Sequence, residues 1–313
     1  MADHRVRAPA RRHQHVVVAF VGLIALMALA IVVLAPRGRP VSGAGPEGTV
    51  SQAPYAGTPS TGSPSPGPSS NASTGALAAP RTLVALGDSV PSADTCGCVG
   101  YVELVRGRLA ALTHRDWAVH NDATGGWTTA DVESDLSTAA TAAHLAAADL
   151  VLIEAGANDF DLGRVDDPGC SPAASSGCWA ATLEGLRTGL TQIIEGIHRI
   201  DGRPDLRIVL VGYWNVTVDG AVGRARGPSF VLGSDELTRL VNTTVEQTAA
   251  RTGTVYVDAY APLKGDRDTR DPTSDLLQDG DHLNASGHAL LAGAIITELS
   301  SDGLLAGWQG GNG

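Results

Sequence analysis

"LVALGDSVPS", Leu83 to Ser92, runs an apolar stretch (Leu83, Val84, Ala85, Leu86) into an abrupt Gly87-Asp88-Ser89. Such a run, bounded by glycine, reads as a buried strand that turns sharply at its carboxyl end. The hydroxyl it then presents is either a nucleophile or the cap of the helix that follows.

The same grammar recurs along the chain. Strands are predicted over Thr82–Leu86, Trp117–Asn121, Leu150–Ala155, Arg207–Tyr213 and Thr254–Asp258. Helices are predicted over Gly100–Leu112, Thr128–Ala147, Trp179–Ile200, Ser234–Arg251 and Asn284–Leu299. Near-continuous apolar strands such as "LVLIEA" and "RIVLVGY" suit a sheet covered on both faces. Five βα units in a row predict an α/β fold, a three-layer α/β/α sandwich about a five-stranded parallel sheet of flavodoxin-like type. Ligands of such sheets bind at the carboxyl ends of the strands, so the polar residues after each strand carry the functional signal.

Those segments are Gly87-Asp88-Ser89, "NDATGGWTT" (Asn121–Thr129), "GAND" (Gly156–Asp159), "YWNV" (Tyr213–Val216) and, after a longer loop, "DGDH" (Asp279–His282). Ser89 does not sit in the nucleophile elbow of larger hydrolases, because Pro91 stands where a second glycine is needed. The "DGDH" segment sets Asp279 three residues before His282. A catalytic imidazole needs such a carboxylate to fix its tautomer and to stabilise the imidazolium formed during attack. Asp281 is the competing carboxylate, and its adjacent position points it elsewhere. The turn "QDGDHLNASG" also reads as the entry to the last helix, with Asn284 or Ser286 as cap. For the oxyanion of acyl transfer, Asn158 offers a side-chain amide at a strand end, and Gly126 offers a backbone N–H free of Cβ interference.

Taken together and in this order, the four blocks resemble the SGNH (GDSL) hydrolase family, over Arg81 to about Leu299. The resemblance implies serine-dependent hydrolysis of carboxylic esters, with Ser89 as nucleophile, His282 as base and Asp279 as its orienting carboxylate. It further implies an oxyanion hole from the Ser89 N–H, the Gly126 N–H and the Asn158 side chain, with no metal and no cofactor. The family's second block usually reads Asn-x-Gly-x-Ser-Gly-x-Thr. Here Ala123 and Gly125 occupy two of those places, so the register rests on Asn121, Gly126 and Thr128, and Gly125 is the alternative donor. Substrates implied are lipid acyl esters or O-acetyl groups on glycans. An O-acyltransferase using the same site, and a catalytically inactive surface binding module, are the alternatives.

The amino-terminal quarter does not read as part of this fold. Residues 1–15 form a basic tail with Arg5, Arg7, Arg11 and Arg12. Val16–Pro36 then runs without a charged residue and is long enough to cross a bilayer as a helix. Arginines ahead of it favour a cytoplasmic amino terminus and an exported remainder, which predicts a single-pass signal anchor with the catalytic domain outside the cell. A cleaved signal peptide, with Ala28-Leu29-Ala30 as its cleavage sequence, is the alternative and makes the product secreted. Residues 37–80 are a Pro/Gly/Ser-rich linker with too few apolar side chains to bury. Residues 81–313 are one domain, expected to act as a monomer.

Beyond residue 80 the chain holds 16 basic and 31 acidic side chains. That surplus repels phosphate backbones and argues against nucleic acid as a partner. Cys96, Cys98, Cys170 and Cys178 form an even set in an exported domain, so disulfides are expected. Their spacing fits no common zinc site. Linking 96/98 to 170/178 and pairing within each couple are both open. The loop Asn215–Gly233, rich in glycine and holding Arg224 and Arg226, is the predicted mobile rim of the substrate site. Trp127, Trp179, Tyr213 and Trp214 fall near the same edge, where core packing accounts for each of them. His288 is expected to pack rather than react.

Overall fold

The five apolar runs become five strands: β1 (Arg81–Gly87), β2 (Trp117–Asn121), β3 (Leu150–Glu154), β4 (Arg207–Val211) and β5 (Val255–Val257). In the computed structural model, which describes residues 79–170 and 177–308, they form one parallel sheet in the order β2-β1-β3-β4-β5. The basic tail, the apolar span over 16–36 and all but the last two residues of the linker lie outside the described residues. Among the described residues no helix is long and apolar enough to cross a membrane.

Every residue of β3 is buried, as are the last five of β1 and the last four of β4. This is why these segments read as unbroken apolar runs rather than alternating ones. The helices are α1 (Ser89–Ser92), α2 (Tyr101–Thr113), α3 (Thr129–Asp135), α4 (Ala139–Ala146), α5 (Ala180–Ile200), α6 (Gly220–Ala225), α7 (Pro228–Thr252), α8 (Tyr260–Lys264) and α9 (Ala285–Ser301). α2 packs on α9, while α5 packs on α3 and α7. The three-layer sandwich is therefore present.

The strand order fixes where a ligand can sit. From β1 the chain moves to one side to make β2, then returns past β1 to make β3 on the other side. Connections leave β1 and β3 in opposite directions, and a crevice opens at their carboxyl ends. Ser89 follows β1 and Asn158 follows β3, so both stand at this switch point.

Two expectations are corrected. The helix predicted over Thr128–Ala147 is two helices. The Thr138 hydroxyl accepts from Thr141 N–H at 3.2 Å and starts α4 afresh, so a local cap outcompetes continuation of α3. The predicted rim loop Asn215–Gly233 is largely helical. Asp219 caps α6, and Pro228 opens α7, where its fixed φ suits the first turn. The glycines that suggested mobility are partly packing residues, since Gly220 and Gly223 are buried within α6. Of the two cysteine pairings left open, the structure holds the local one, Cys96–Cys98 and Cys170–Cys178. Each loop is thus stapled to itself, not to the other.

Candidate active site

Gly87 ends β1 with φ +143, and a Cβ there would stand 1.9 Å from the Glu154 carbonyl oxygen. Only glycine allows the strand to turn against β3 so closely. Asp88 then donates its N–H to that same carbonyl at 3.1 Å. Its Oδ1 accepts from Val90 N–H at 3.0 Å, which makes Asp88 the N-cap of α1. The capping role falls to Asp88, so Ser89 is left half-buried on the first helical turn with its hydroxyl uncommitted.

The second block is delivered by an extension of the sheet ladder. Asp122 N–H donates to Ala85 O at 2.9 Å and Thr124 N–H to Gly87 O at 3.0 Å. These bonds carry the Gly125-Gly126 turn to the nucleophile, and a Cβ on Gly125 would lie 3.6 Å from Ser89 Cβ. Gly126 has φ +84 with open space around its Cβ direction. Glycine is needed there for backbone conformation and not for clearance. Thr128 caps α3 in a reciprocal capping box with Asp131.

At the end of β3, Asn158 Nδ2 donates to Trp127 O at 3.0 Å. One of its two amide hydrogens is thereby fixed and the other remains available. Asp159 accepts from Thr129 N–H at 3.1 Å and from Thr129 Oγ1 at 2.7 Å. The second and third blocks are therefore bolted together.

The fourth block sits on a hairpin beyond β5. Leu276 and Leu283 form an antiparallel bridge, and Leu277 N–H donates to His282 O at 2.8 Å. Asn284 caps α9 through bonds to Ser286 and Gly287 N–H. Within the turn, Asp279 Oδ2 lies 2.8 Å from His282 Nδ1. Asp279 Oδ1 accepts from the N–H groups of Asp281 and His282 at 2.9 and 3.1 Å. Partial burial works to raise the Asp279 carboxyl, but the hydrogen bonds from His282 and these backbone groups, with the His282 charge, hold it below its usual range. Asp281 is exposed and bonds to no imidazole. The Ser89 hydroxyl and the His282 ring make no hydrogen bond to each other, a contact that free enzymes often hold long and tighten only as the substrate binds.

The roles of Asp88, Glu154 and Lys264, which lie beneath and behind this surface, were not singled out in the sequence. Asp88 is 1% exposed. Burial lifts its carboxyl to about 6, against hydrogen bonds from Tyr213 and Val90, while Asp281 raises it further and His282 lowers it. Glu154, fully buried beside it, is raised well above the carboxylate range by burial and by the Asp88 charge. It faces the Tyr101 hydroxyl without completing a hydrogen bond. An acid closing an apolar strand, as in "LVLIEA", was the available signal. The lone lysine, Lys264, is 2% exposed and pairs with Asp219 at 3.0 Å, Asp268 at 3.3 Å and Asp235 at 3.6 Å. Asp219 N–H in turn donates to Gly280 O at 2.7 Å, so this cluster underpins the Asp279–His282 turn. His288 packs as expected: its Nδ1 accepts from Tyr101 N–H at 3.2 Å, and burial holds the ring down near 4.

Residues 85–290 match the model of the GDSL-like lipase/acylhydrolase family. No curated protein matches the chain by sequence. Among solved structures, a lipase from a goat rumen metagenome is 18% identical, with a TM-score of 0.57 over 70% of this chain and 97% of that one. A catalytic mutant of an acetylxylan esterase from Geobacillus stearothermophilus is 22% identical, with a TM-score of 0.50 over 70% of this chain and 94% of that one.

Proposed function

Because the chain belongs to the GDSL-like lipase/acylhydrolase family and is thus a carboxylic ester hydrolase, we propose that it works through a covalent acyl-enzyme on Ser89. His282 accepts the Ser89 proton as Oγ attacks the ester carbonyl, then gives that proton to the departing alcohol. Water, deprotonated by the same imidazole, attacks the acyl-enzyme, releases the acid and restores Ser89. Asp279 keeps the His282 Nδ1 proton in place and balances the imidazolium. The oxyanion of each tetrahedral intermediate is held by Ser89 N–H, the free Asn158 amide hydrogen and the glycine turn, with Gly126 as donor and Gly125 as its alternative. The observation that carries the reading is the 2.8 Å contact of Asp279 with His282, with both Asp279 oxygens occupied so that the pair is fixed in one geometry.

The ester class within reach is a lipid acyl ester or an O-acetylated glycan. An acetylxylan esterase of the same fold lends support to the second, and the acidic surface of residues 81–313 is unsuited to anionic lipid. The domain is tethered outside the membrane by the 16–36 span through the 37–80 linker. Support for that comes from the uncharged run, the arginines ahead of it and the fully paired cysteines.

Turnover of short-chain, long-chain and O-acetylated glycan esters by residues 75–313, with Ser89→Ala as control, tests the reaction and its substrate together. Hydrolysis of none of these by the parent enzyme, or undiminished hydrolysis by the Ser89→Ala variant, would refute the reading. For the location, protease added to intact cells should release an active fragment by cutting within 37–80. Full activity in the culture medium beforehand would favour a cleaved leader.

A further inference from the structure

We propose that Tyr213 is a positioning residue whose hydroxyl struts the nucleophile turn against the Asn158 turn. This rests on the serine-esterase reading of the site. Tyr213 stands just beyond β4 and is 1% exposed. Its hydroxyl donates to Asp88 Oδ2 at 2.6 Å and accepts from Ala157 N–H at 3.4 Å. The two partners immediately precede Ser89 and Asn158 in the chain. One oxygen therefore reaches the residue before the nucleophile and the residue before the oxyanion donor.

The main chain at Tyr213 is held in place without that hydroxyl, and the side chain is buried. Tyr213 N–H donates to Asn242 Oδ1 at 2.8 Å, and Asn242 Nδ2 donates back to Tyr213 O at 2.7 Å. The side-chain amide thus replaces the ladder that β4 has just left. Asp88 is fixed at its other oxygen by Val90 N–H in the first turn of α1. Any swing of Asp88 rotates the cap of the short helix that begins at Ser89, so the Tyr213 bond locks the nucleophile's base. A hydrogen bond to a buried carboxylate is also the strong kind, since its loss leaves charge without a partner.

The groups facing Asp88 are Tyr213 beyond β4, Glu154 on β3, Tyr101 on α2, and Asp281 with His282 in the fourth block. Of these, Tyr213 supplies the largest influence favouring the ionised form. Removing its hydroxyl takes no hydrogen bond from His282 but raises the pH at which Asp88 ionises, so the carboxylate that caps α1 at Ser89 is lost at higher pH.

The test is Tyr213→Phe, with kcat expressed per site titrated by a fluorophosphonate, and Ser89→Ala run in parallel. KM should stay within about twofold and kcat should fall about 10–100-fold. The acid limb of the kcat profile should move to higher pH, which a change in the folded fraction alone would not produce. If Tyr213→Phe folds poorly, Asp88→Ala is read in its place. It cuts the same bond from the other end together with the Val90 cap, so a kcat loss at least as large, at unchanged KM, is expected. Wild-type kcat per titrated site with an unmoved acid limb, alongside an inactive Ser89→Ala, overturns the strut alone. An active Ser89→Ala overturns the esterase reading and the strut with it.

Discussion

Ser89 stands at the end of a strand bonded on both edges, whereas His282 stands in a hairpin beyond the last strand of the sheet. On the first side Gly87 and Asp88 are buried, and main-chain bonds to Glu154 and Thr124 leave the turn almost no freedom. On the second side the Asp279 side chain is 43% exposed and its partner ring 18%. That turn is held by a two-leucine bridge, the Asp219–Gly280 bond and the Lys264 cluster behind it. Placement on the nucleophile side comes from the fold itself, and placement on the base side comes from a local network. Substitutions should therefore act differently on the two: through the loss of single reacting atoms at Ser89, and through geometry around His282.

The largest effects are those in which the two sides become equal. Ser89→Ala and His282→Ala should each lower kcat about 10⁴–10⁶-fold with the fold intact by circular dichroism. Combining them should cost little more than either alone, since the two act as one unit. Additive losses in the double variant would mean that the two sides do not share a proton.

The next prediction separates the sides. Asp279→Asn keeps the turn but offers an amide where the imidazole needs an acceptor, and kcat should fall about 10²–10⁴-fold. Asp281→Asn should change kcat less than about fivefold, as expected for an exposed charge. The reverse order would move the orienting carboxylate by two residues and leave Ser89 and His282 in their roles.

On the nucleophile side, Asn158→Ala should lower kcat about 10²–10³-fold with little change in KM, because its bond strengthens as the oxyanion forms. A rise in KM at constant kcat would instead make Asn158 a ground-state contact.

This asymmetry also explains what the sequence makes legible. All five strands match the segments read from the sequence to within their ends, and for the central β1, β3 and β4 the reason is burial on both faces, which leaves a one-dimensional signal. The four blocks are legible for a related reason: each lies next to a strand end or a turn whose chemistry is local. The Tyr213–Asp88 bond joins residues 125 apart, and Lys264 meets Asp219 from another element. Nothing in periodicity or spacing encodes such pairings. The break between α3 and α4 rests on one threonine hydroxyl, and the helices hidden in 215–233 rest on Asp219 and Pro228. In each case a single cap outweighs the composition of the segment.

The smallest predicted effect concerns the joint between the two sides. His288 lies on α9, four residues past the cap that follows the base turn, and its Nδ1 receives Tyr101 N–H from the start of α2. Burial, with a lesser push from the His282 charge, holds its ring at about 4 against an ordinary 6.5. Between these values the unfolded chain takes up a proton that the native ring refuses, so stability falls as pH drops from about 6.5 toward 4. The full shift corresponds to about 3 kcal/mol. His288→Asn keeps an acceptor for Tyr101 N–H but cannot be protonated, so its stability should depend less steeply on pH across this window. Urea unfolding at pH 7 and pH 4.5 should show the wild type losing about 2–3 kcal/mol more than the variant. Carboxylates that titrate in the same range, Asp88 included, are common to both proteins and cancel in the difference. Parallel pH dependence in the two proteins would place the acid sensitivity elsewhere, at the exposed base turn and not at the joint.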